Sequence, residues 1–204
     1  MTSTDTPRLS VDLPPGFSGM RLTGDIDTDA DEIRRVSALT AQQSGQSEQE
    51  LASYLAVFAD WLRPQHVVLF GKFATGTEPV LATVALALVP LNGPDLALVA
   101  NNLDVVAGDL HAEFRERHPG ADSRVIRLPI GPAVAGLVIG EFRLPPEVTG
   151  EPAEVVRPTC RAEFQIPLPS GRALAVLSVS ADTADGWPEI ADQAGRIARS
   201  LTIG

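Results

Sequence analysis

Residues 162–169, AEFQIPLP, and residues 173–180, ALAVLSVS, decide the fold. Both segments have the apolar composition of β-strands, and the turn residues Pro169–Gly171 lie between them, so we predict a hairpin. In the second segment large apolar residues stand at even and at odd positions, so that they point to both faces of a strand. A strand that is apolar on both faces is covered on both sides, which predicts a central position in a sheet.

An amphipathic helix is predicted directly after this hairpin. Between Trp187 and Leu201, apolar residues recur at intervals of three and four, while Glu189 and Arg196 fall on the opposite face. The predicted buried stripe consists of Trp187, Ile190, Ala191, Ala194, Ile197, Ala198 and Leu201. A helix of this kind needs an apolar surface, and the central strand provides one.

The preceding part of the chain predicts three more helices and several strands. An acidic run opens a first helix at residues 25–32, and Ser47 with Glu50 forms a capping box for a second. A third helix is predicted from Leu103 to Phe114, where apolar residues again recur at helical spacing. Further strands are predicted at 9–13, 67–74, 80–91, 124–128, 133–144 and 156–167.

These elements predict an α/β (α+β) fold built as one three-layer sandwich. We expect a mainly antiparallel central sheet with helices on both faces, and with Val80–Val89 and Ala173–Ser180 in its middle. Residues 1–7 are small and polar and are predicted to be a disordered lead-in, and residues 8–204 are predicted to form the domain. Residues 145–152, rich in proline and glycine, are expected to form an exposed loop.

Composition narrows the class of partner. The chain has 204 residues, 44% of them hydrophobic, and a formal net charge of −10, which fits one acidic domain with its own core. An acidic protein lacks the clustered cations that bind phosphate backbones, so nucleic acid is not an expected partner. Cys160 is the single cysteine. Without an apolar signal or membrane-length segment, we expect a soluble cytoplasmic protein with no membrane insertion.

None of the motifs that would indicate catalysis, a metal or a cofactor is complete. Gly71-Lys72 lies in a predicted hairpin and not before a helix, as a phosphate-binding loop requires. The acidic run at 25–32 lacks the glycine and glutamate of a calcium loop. Arg115 lies between His111 and His118, and its positive charge would repel a metal ion bound there. We therefore predict no catalytic residues, no metal and no cofactor.

The leading functional hypothesis is a protein-binding surface on the strand at 156–167. Arg161, Glu163 and Gln165 alternate with apolar residues, so they form a polar row, and this strand is predicted to be an outer one. The hypothesis describes a non-catalytic cytoplasmic accessory protein, such as an adaptor, a chaperone or a structural component of a secretion system, toxin or larger assembly. The oligomeric state is not predicted.

The alternative hypothesis is a small-molecule pocket, or an enzyme, beside the second helix. Tyr54, Phe58 and Trp61 lie on one helical stripe and could line an apolar cavity for a ligand. The same spacing also carries Leu51, Leu55 and Leu62, and core packing of all six side chains is the favoured interpretation.

The order of elements resembles the PsbP-like fold. The segments that carry the resemblance are Leu128–Val134, Phe164–Pro169, and Ser178–Ser180 with the helix that follows. This fold occurs in the photosystem II extrinsic protein, in a Ran-binding nuclear import factor and in many actinobacterial proteins, including a lipoprotein family. The resemblance implies an antiparallel sheet between helices and a non-catalytic domain that binds another protein or stabilises an assembly. The signal peptide and lipobox cysteine of the lipoprotein branch are not found near the start of this sequence.

Overall fold

A computed structural model describes residues 9–76, 79–91, 101–144 and 152–203. Its helices are α1 (Ile26–Ser44), α2 (Glu48–Leu62), α3 (Leu103–Arg117) and α4 (Trp187–Ser200), with a 3₁₀ turn at Arg63–Gln65. Its strands are β1 (Leu9–Ser10), β2 (Ser18–Arg21), β3 (Val67–Thr75), β4 (Val80–Pro90), β5 (Asp122–Leu128), β6 (Gly131–Leu144), β7 (Val155–Pro167), β8 (Ala173–Ala181) and β9 (Thr202–Ile203). The predicted lead-in at 1–7 and most of the predicted loop, 145–151, lie outside the described residues.

Seven strands form one antiparallel sheet in the order β2-β3-β4-β8-β7-β6-β5. β4 and β8 are neighbours in its centre, which confirms the predicted central strands. The predicted strand at 9–13 is limited to β1, which pairs with β9 in a separate two-stranded sheet. The sequence prediction missed β2 and β9, because a four-residue and a two-residue strand are too short to show a periodic pattern.

α4 covers one face of the sheet, the α4 face, and there the main core lies. Its buried side chains pack on β7 and β8. Leu86, Leu177 and Phe164 are cross-strand neighbours on this face and belong to the same core cluster as Ile190 and Ile197. The predicted stripe of this helix is therefore buried along most of its length, and the predicted support by the central strands is confirmed.

The other three helices lie on the opposite face. α1 and α2 pack on each other beside β2 and β3, where Ile33, Val36 and Leu62 form a second cluster with Met20. α3 packs on β5, β6 and β7. It approaches closely because Gly136 has no side chain: a Cβ there would overlap the ring of Phe114. Helices on both faces confirm the predicted sandwich.

α1 begins at the acidic run that was considered as a calcium loop. Asp25 is the N-cap, and its carboxylate accepts from the backbone N–H of Thr28 at 2.9 Å, which lowers the pKa of Asp25. Asp29, fully buried, accepts from the backbone N–H of Thr23 at 2.7 Å and lies 3.4 Å from Arg63 Nε. The Asp29 carboxylate therefore connects α1 to the segment that follows β2 and to the end of α2.

None of the described helices combines the length and the apolar character required to cross a membrane.

Candidate functional surfaces

The polar row Arg161, Glu163 and Gln165 lies inside the sheet, because β7 pairs with both β6 and β8. The prediction that this strand is an outer one is therefore wrong. Glu163 and Gln165 are buried, and Gln165 Nε2 donates to Glu163 Oε1 at 2.8 Å. Arg161 Nη2 lies 3.5 Å from Glu163 Oε2. An alternating pattern of charged residues does not reveal the order of strands in a sheet. In this strand the polar side chains contact one another inside the protein.

Two atoms of this row have no hydrogen-bond partner among the described residues. They are Arg161 Nε and Gln165 Oε1, and both are buried. On either side of Glu163, the cross-strand neighbours are Ser178 and Gly136. The row therefore forms a buried polar cluster on the face that carries α1, α2 and α3. Its role in binding a partner stays a prediction.

The aromatic residues of α2 are not arranged as the sequence predicted. Tyr54 is 80% exposed and Trp61 is 60% exposed, so neither packs in the core. Val57, between them on the same side of the helix, is 71% exposed. We call Tyr54, Val57 and Trp61 the α2 stripe. Leu62 is buried as expected, and Phe58 is half-buried. A ligand at this helix stays a prediction, and two of the three aromatic side chains that suggested it, Tyr54 and Trp61, are exposed.

Trp61 is connected to the sheet through two other aromatic rings. Its ring stacks on Phe58 with the centroids 5.7 Å apart and an interplanar angle of 22°. Phe58 in turn meets Phe70 of β3 edge-on at 4.8 Å. Contacts of this geometry are favourable for aromatic pairs, so Trp61 is exposed but held in a defined orientation.

A groove runs along the side of α4 that faces the edge of the sheet. Its volume is about 280 Å³. The floor is apolar and includes Ile126, Ala135 and Phe164. We call it the α4–β5 groove. It is lined by Asp122, Arg124, Ile126, Ala135, Gly136, Leu137, Ala162, Phe164, Ala191, Asp192, Gly195 and Arg199.

The histidines considered for a metal site serve other contacts. His111 Nε2 lies 3.1 Å from the carbonyl oxygen and 3.1 Å from the hydroxyl of Ser123, which ties α3 to β5. The ring of His118 packs 4.9 Å from that of Phe114. In the described part of the chain, no three His, Cys, Asp or Glu side chains are grouped so that they could hold a metal ion.

Comparisons with known proteins give distant structural likeness alone. No family model matches the chain, and no curated protein matches it. Among solved structures, the chain is similar to LpqN, which is involved in cell envelope biogenesis of Mycobacterium tuberculosis. The match covers 98% of this chain and 86% of that chain at 16% identity, with a TM-score of 0.42. A likeness at this level does not transfer a function, and the PsbP-like resemblance stays a prediction.

Sequence reasoning missed both exposed surfaces. The α2 stripe was assigned to the core because its spacing is that of a buried face. The groove was not predicted at all, since β5 and α4 are far apart in sequence.

Proposed function

We propose that this chain is a non-catalytic accessory protein that binds a partner protein through the α2 stripe. The observation that carries the proposal is the exposure of Tyr54, Val57 and Trp61 on one side of one helix. Single exposed apolar residues are common, but a contiguous patch with two large aromatic side chains is typical of an interaction site.

The size of the patch fits the centre of an interface. From the area of whole aromatic side chains, the exposed parts of the three residues amount to roughly 400 Å². A standard protein interface buries about 800 Å² on each partner. Tryptophan and tyrosine are also the residues most enriched among those that contribute most to binding. The α2 stripe would form the apolar centre, and neighbouring polar residues of α1 and α2 would form the rim.

The ring contacts of Trp61 lower the cost of binding. A free aromatic side chain loses rotamer freedom when a partner immobilises it. The stack of Trp61 on Phe58, and of Phe58 against Phe70, already restricts this side chain in the free protein. The arrangement favours a preformed anchor over a loose apolar surface.

The partner we propose has an apolar cleft with basic residues at its rim. Residues 54, 57 and 61 have the spacing with which amphipathic helices enter such clefts. Glu50 lies one turn before Tyr54 on the same side of α2, and Glu48 and Asp60 add negative charge nearby. An acidic chain with a net charge of −10 would be attracted to a basic rim. Adaptor, chaperone and structural roles in a larger cytoplasmic assembly all remain within this proposal.

The test is affinity capture from the native host with matched variants. The stripe variant combines Tyr54→Gln, Val57→Gln and Trp61→Gln, which keep good helix formers in place. The control combines Leu81→Gln and Val105→Gln, two exposed apolar residues on β4 and α3. A partner retained by the parent and the control is then purified, and its affinity for all variants is measured. We expect at least a hundredfold loss for the stripe variant alone, about 3 kcal/mol.

Two results would contradict the proposal. A purified partner that binds the stripe variant as tightly as the parent would show that the α2 stripe is not the interface. An Arg161→Ala variant separates this result from the polar row on β7. If binding is lost in Arg161→Ala at unchanged stability and kept in the stripe variant, the interface is the β7 row and not α2.

A further inference from the structure

The α4–β5 groove has a direction that follows from the topology. α4 follows β8 after a short turn and packs back on it, so the two run antiparallel. β8 is also antiparallel to β5 across the sheet, which makes α4 and β5 run the same way. The start of α4 therefore lies beside the start of β5. Asp122 and Asp192 mark this end of the groove, and Arg124 and Arg199 lie further along it.

The two walls have similar lengths. From Ala191 to Arg199 the helix rises about 12 Å at 1.5 Å per residue. From Asp122 to Ile126 the strand advances about 13 Å at 3.3 Å per residue. Arg124 and Arg199 both lie beyond the acidic end, and they line the same groove as the apolar residues Ile126, Ala135 and Phe164.

Both groove arginines are without an ion pair in the described part of the chain. Most other described arginines contact a carboxylate, as Arg196 does with Asp192 at 2.9 Å. Arg124 and Arg199 differ from the other described arginines without a printed ion pair, Arg21, Arg115 and Arg172, because the two lie on the walls of one groove. A guanidinium is suited to a carboxylate, which it can bind through two parallel hydrogen bonds.

The position of the Arg199 side chain is defined by its distance from Gly195. A Cβ at Gly195 would lie 3.4 Å from Arg199 Nη1 and 3.5 Å from Nη2, which is ordinary van der Waals contact. The guanidinium of Arg199 therefore lies about one helical turn toward the start of α4, at the groove wall.

We propose that the α4–β5 groove binds a small amphipathic carboxylate. The carboxylate pairs with Arg124 and Arg199, and the apolar body lies on Ile126, Ala135 and Phe164. Asp122 at the other end repels an anion there, so the ligand has one orientation. The volume is just below the usual range for ligand sites, about 300–1,000 Å³, which indicates a small ligand. This site is separate from the α2 stripe, which lies on the opposite face of the sheet beside β2 and β3.

The test uses decanoate below its micelle concentration, titrated by calorimetry or NMR. Decanol provides the same apolar body without charge, and acetate provides the charge alone. The key variant combines Arg124→Gln and Arg199→Gln. Its control combines Lys72→Gln and Arg115→Gln, which removes the same charge from exposed positions on the other face. Thermal unfolding of each variant verifies that the fold is retained.

We expect saturable binding of decanoate to the parent and the control, and at least tenfold weaker binding to the Arg124→Gln/Arg199→Gln variant. Decanol and acetate should bind more weakly than decanoate to the parent.

Several outcomes would overturn the proposal: no saturable binding of decanoate, equal binding by the arginine variant, or equal affinity for decanol. An apolar tetrapeptide with a free C-terminus is tested in parallel. If the tetrapeptide binds at Arg124 and Arg199 and decanoate does not bind, the occupant is a protein C-terminus instead. The α2 stripe variant should bind decanoate like the parent, so this proposal and the proposed protein interface can fail separately.

Discussion

Helices α2 and α4 carry apolar residues at the same three- and four-residue intervals, but their surroundings differ. In α4 the side chains of Ile190, Ala194 and Ile197 are at most 1% exposed. In α2 the residues Tyr54 and Trp61, which belong to the same kind of pattern, are 80% and 60% exposed. One pattern therefore produced a core face in α4 and an open surface in α2.

The difference arises from what each helix packs against. α4 lies on β7 and β8, strands in the interior of the sheet. α2 packs mainly on α1 and reaches the sheet through the contact of Phe58 with Phe70 of β3. The apolar residues of α2 also occupy a wider arc than one neighbour can cover, so Leu62 is buried on one side while Val57 is exposed on the other. Helical periodicity predicts an apolar stripe, but the neighbouring elements determine whether it is covered.

The largest effect should come from a charge placed on each stripe. Ile197→Asp puts an unpaired carboxylate into the main core, which we expect to cost at least about 4 kcal/mol of unfolding free energy, a large fraction of the stability of a typical domain. Val57→Asp makes a similar change at an exposed position of α2 and should cost less than about 1 kcal/mol. Denaturant unfolding monitored by circular dichroism measures both. Equal losses would contradict the contrast between the two helices.

A smaller effect is expected at the carboxylate that holds the α1–α2 layer. Asp29→Ala removes the bond to the backbone N–H of Thr23 and leaves Arg63 with one partner fewer, and we expect a loss of about 2–4 kcal/mol. Asp31→Ala, which breaks the exposed pair with Arg34, serves as the control and should cost at most about 1 kcal/mol. Hydrogen exchange should show α1 and α2 opening more than α4 in Asp29→Ala. Uniform opening would argue against a locally attached layer.

Much of the fold was predictable, because local patterns carry it. The alternation in Ala173–Ser180 predicted a central strand, and the Ser47 side chain caps α2 as expected, accepting from Glu50 N–H at 3.4 Å. Strand order was not predictable for β7, since it depends on pairing between distant segments. The row from Arg161 to Gln165 has the alternation of an exposed edge, although its members contact one another in an interior strand.

The candidate surfaces were predictable only in part. The sequence identified Tyr54 and Trp61 as notable, but not their exposure, which arises because none of the described elements packs over the outer side of α2. The groove joins Arg124 of β5 with Arg199 of α4, which are brought together only by the folded sheet.

The smallest expected effect is the pH dependence of the stability that comes from the contact between α1 and β2. The hydrogen bond from Arg35 holds the pKa of Glu32 below its ordinary value, with a smaller contribution from the backbone N–H of Arg21. A lowered carboxyl pKa contributes stability that is present above the unfolded pKa, about 4.3. This stability is lost as the pH falls through the folded pKa.

A double-mutant cycle with Glu32→Gln and Arg35→Gln measures this contribution. We expect a coupling free energy of at most about 1 kcal/mol at neutral pH, because the pair is partly exposed, and a decrease toward zero in acid. A coupling that is unchanged below the folded pKa of Glu32 would contradict the assigned cause.

Fluorescence quenching of Trp61 tests the exposed α2 stripe most directly. Trp187→Phe leaves Trp61 as the single tryptophan, and acrylamide then reports its contact with solvent. We expect Trp61 to be quenched to a substantial fraction of the extent seen for a free tryptophan derivative, independently of protein concentration. Weak quenching at all concentrations, or quenching that increases on dilution, would show that the chain itself or a second copy covers the stripe, and would contradict an open binding surface on α2.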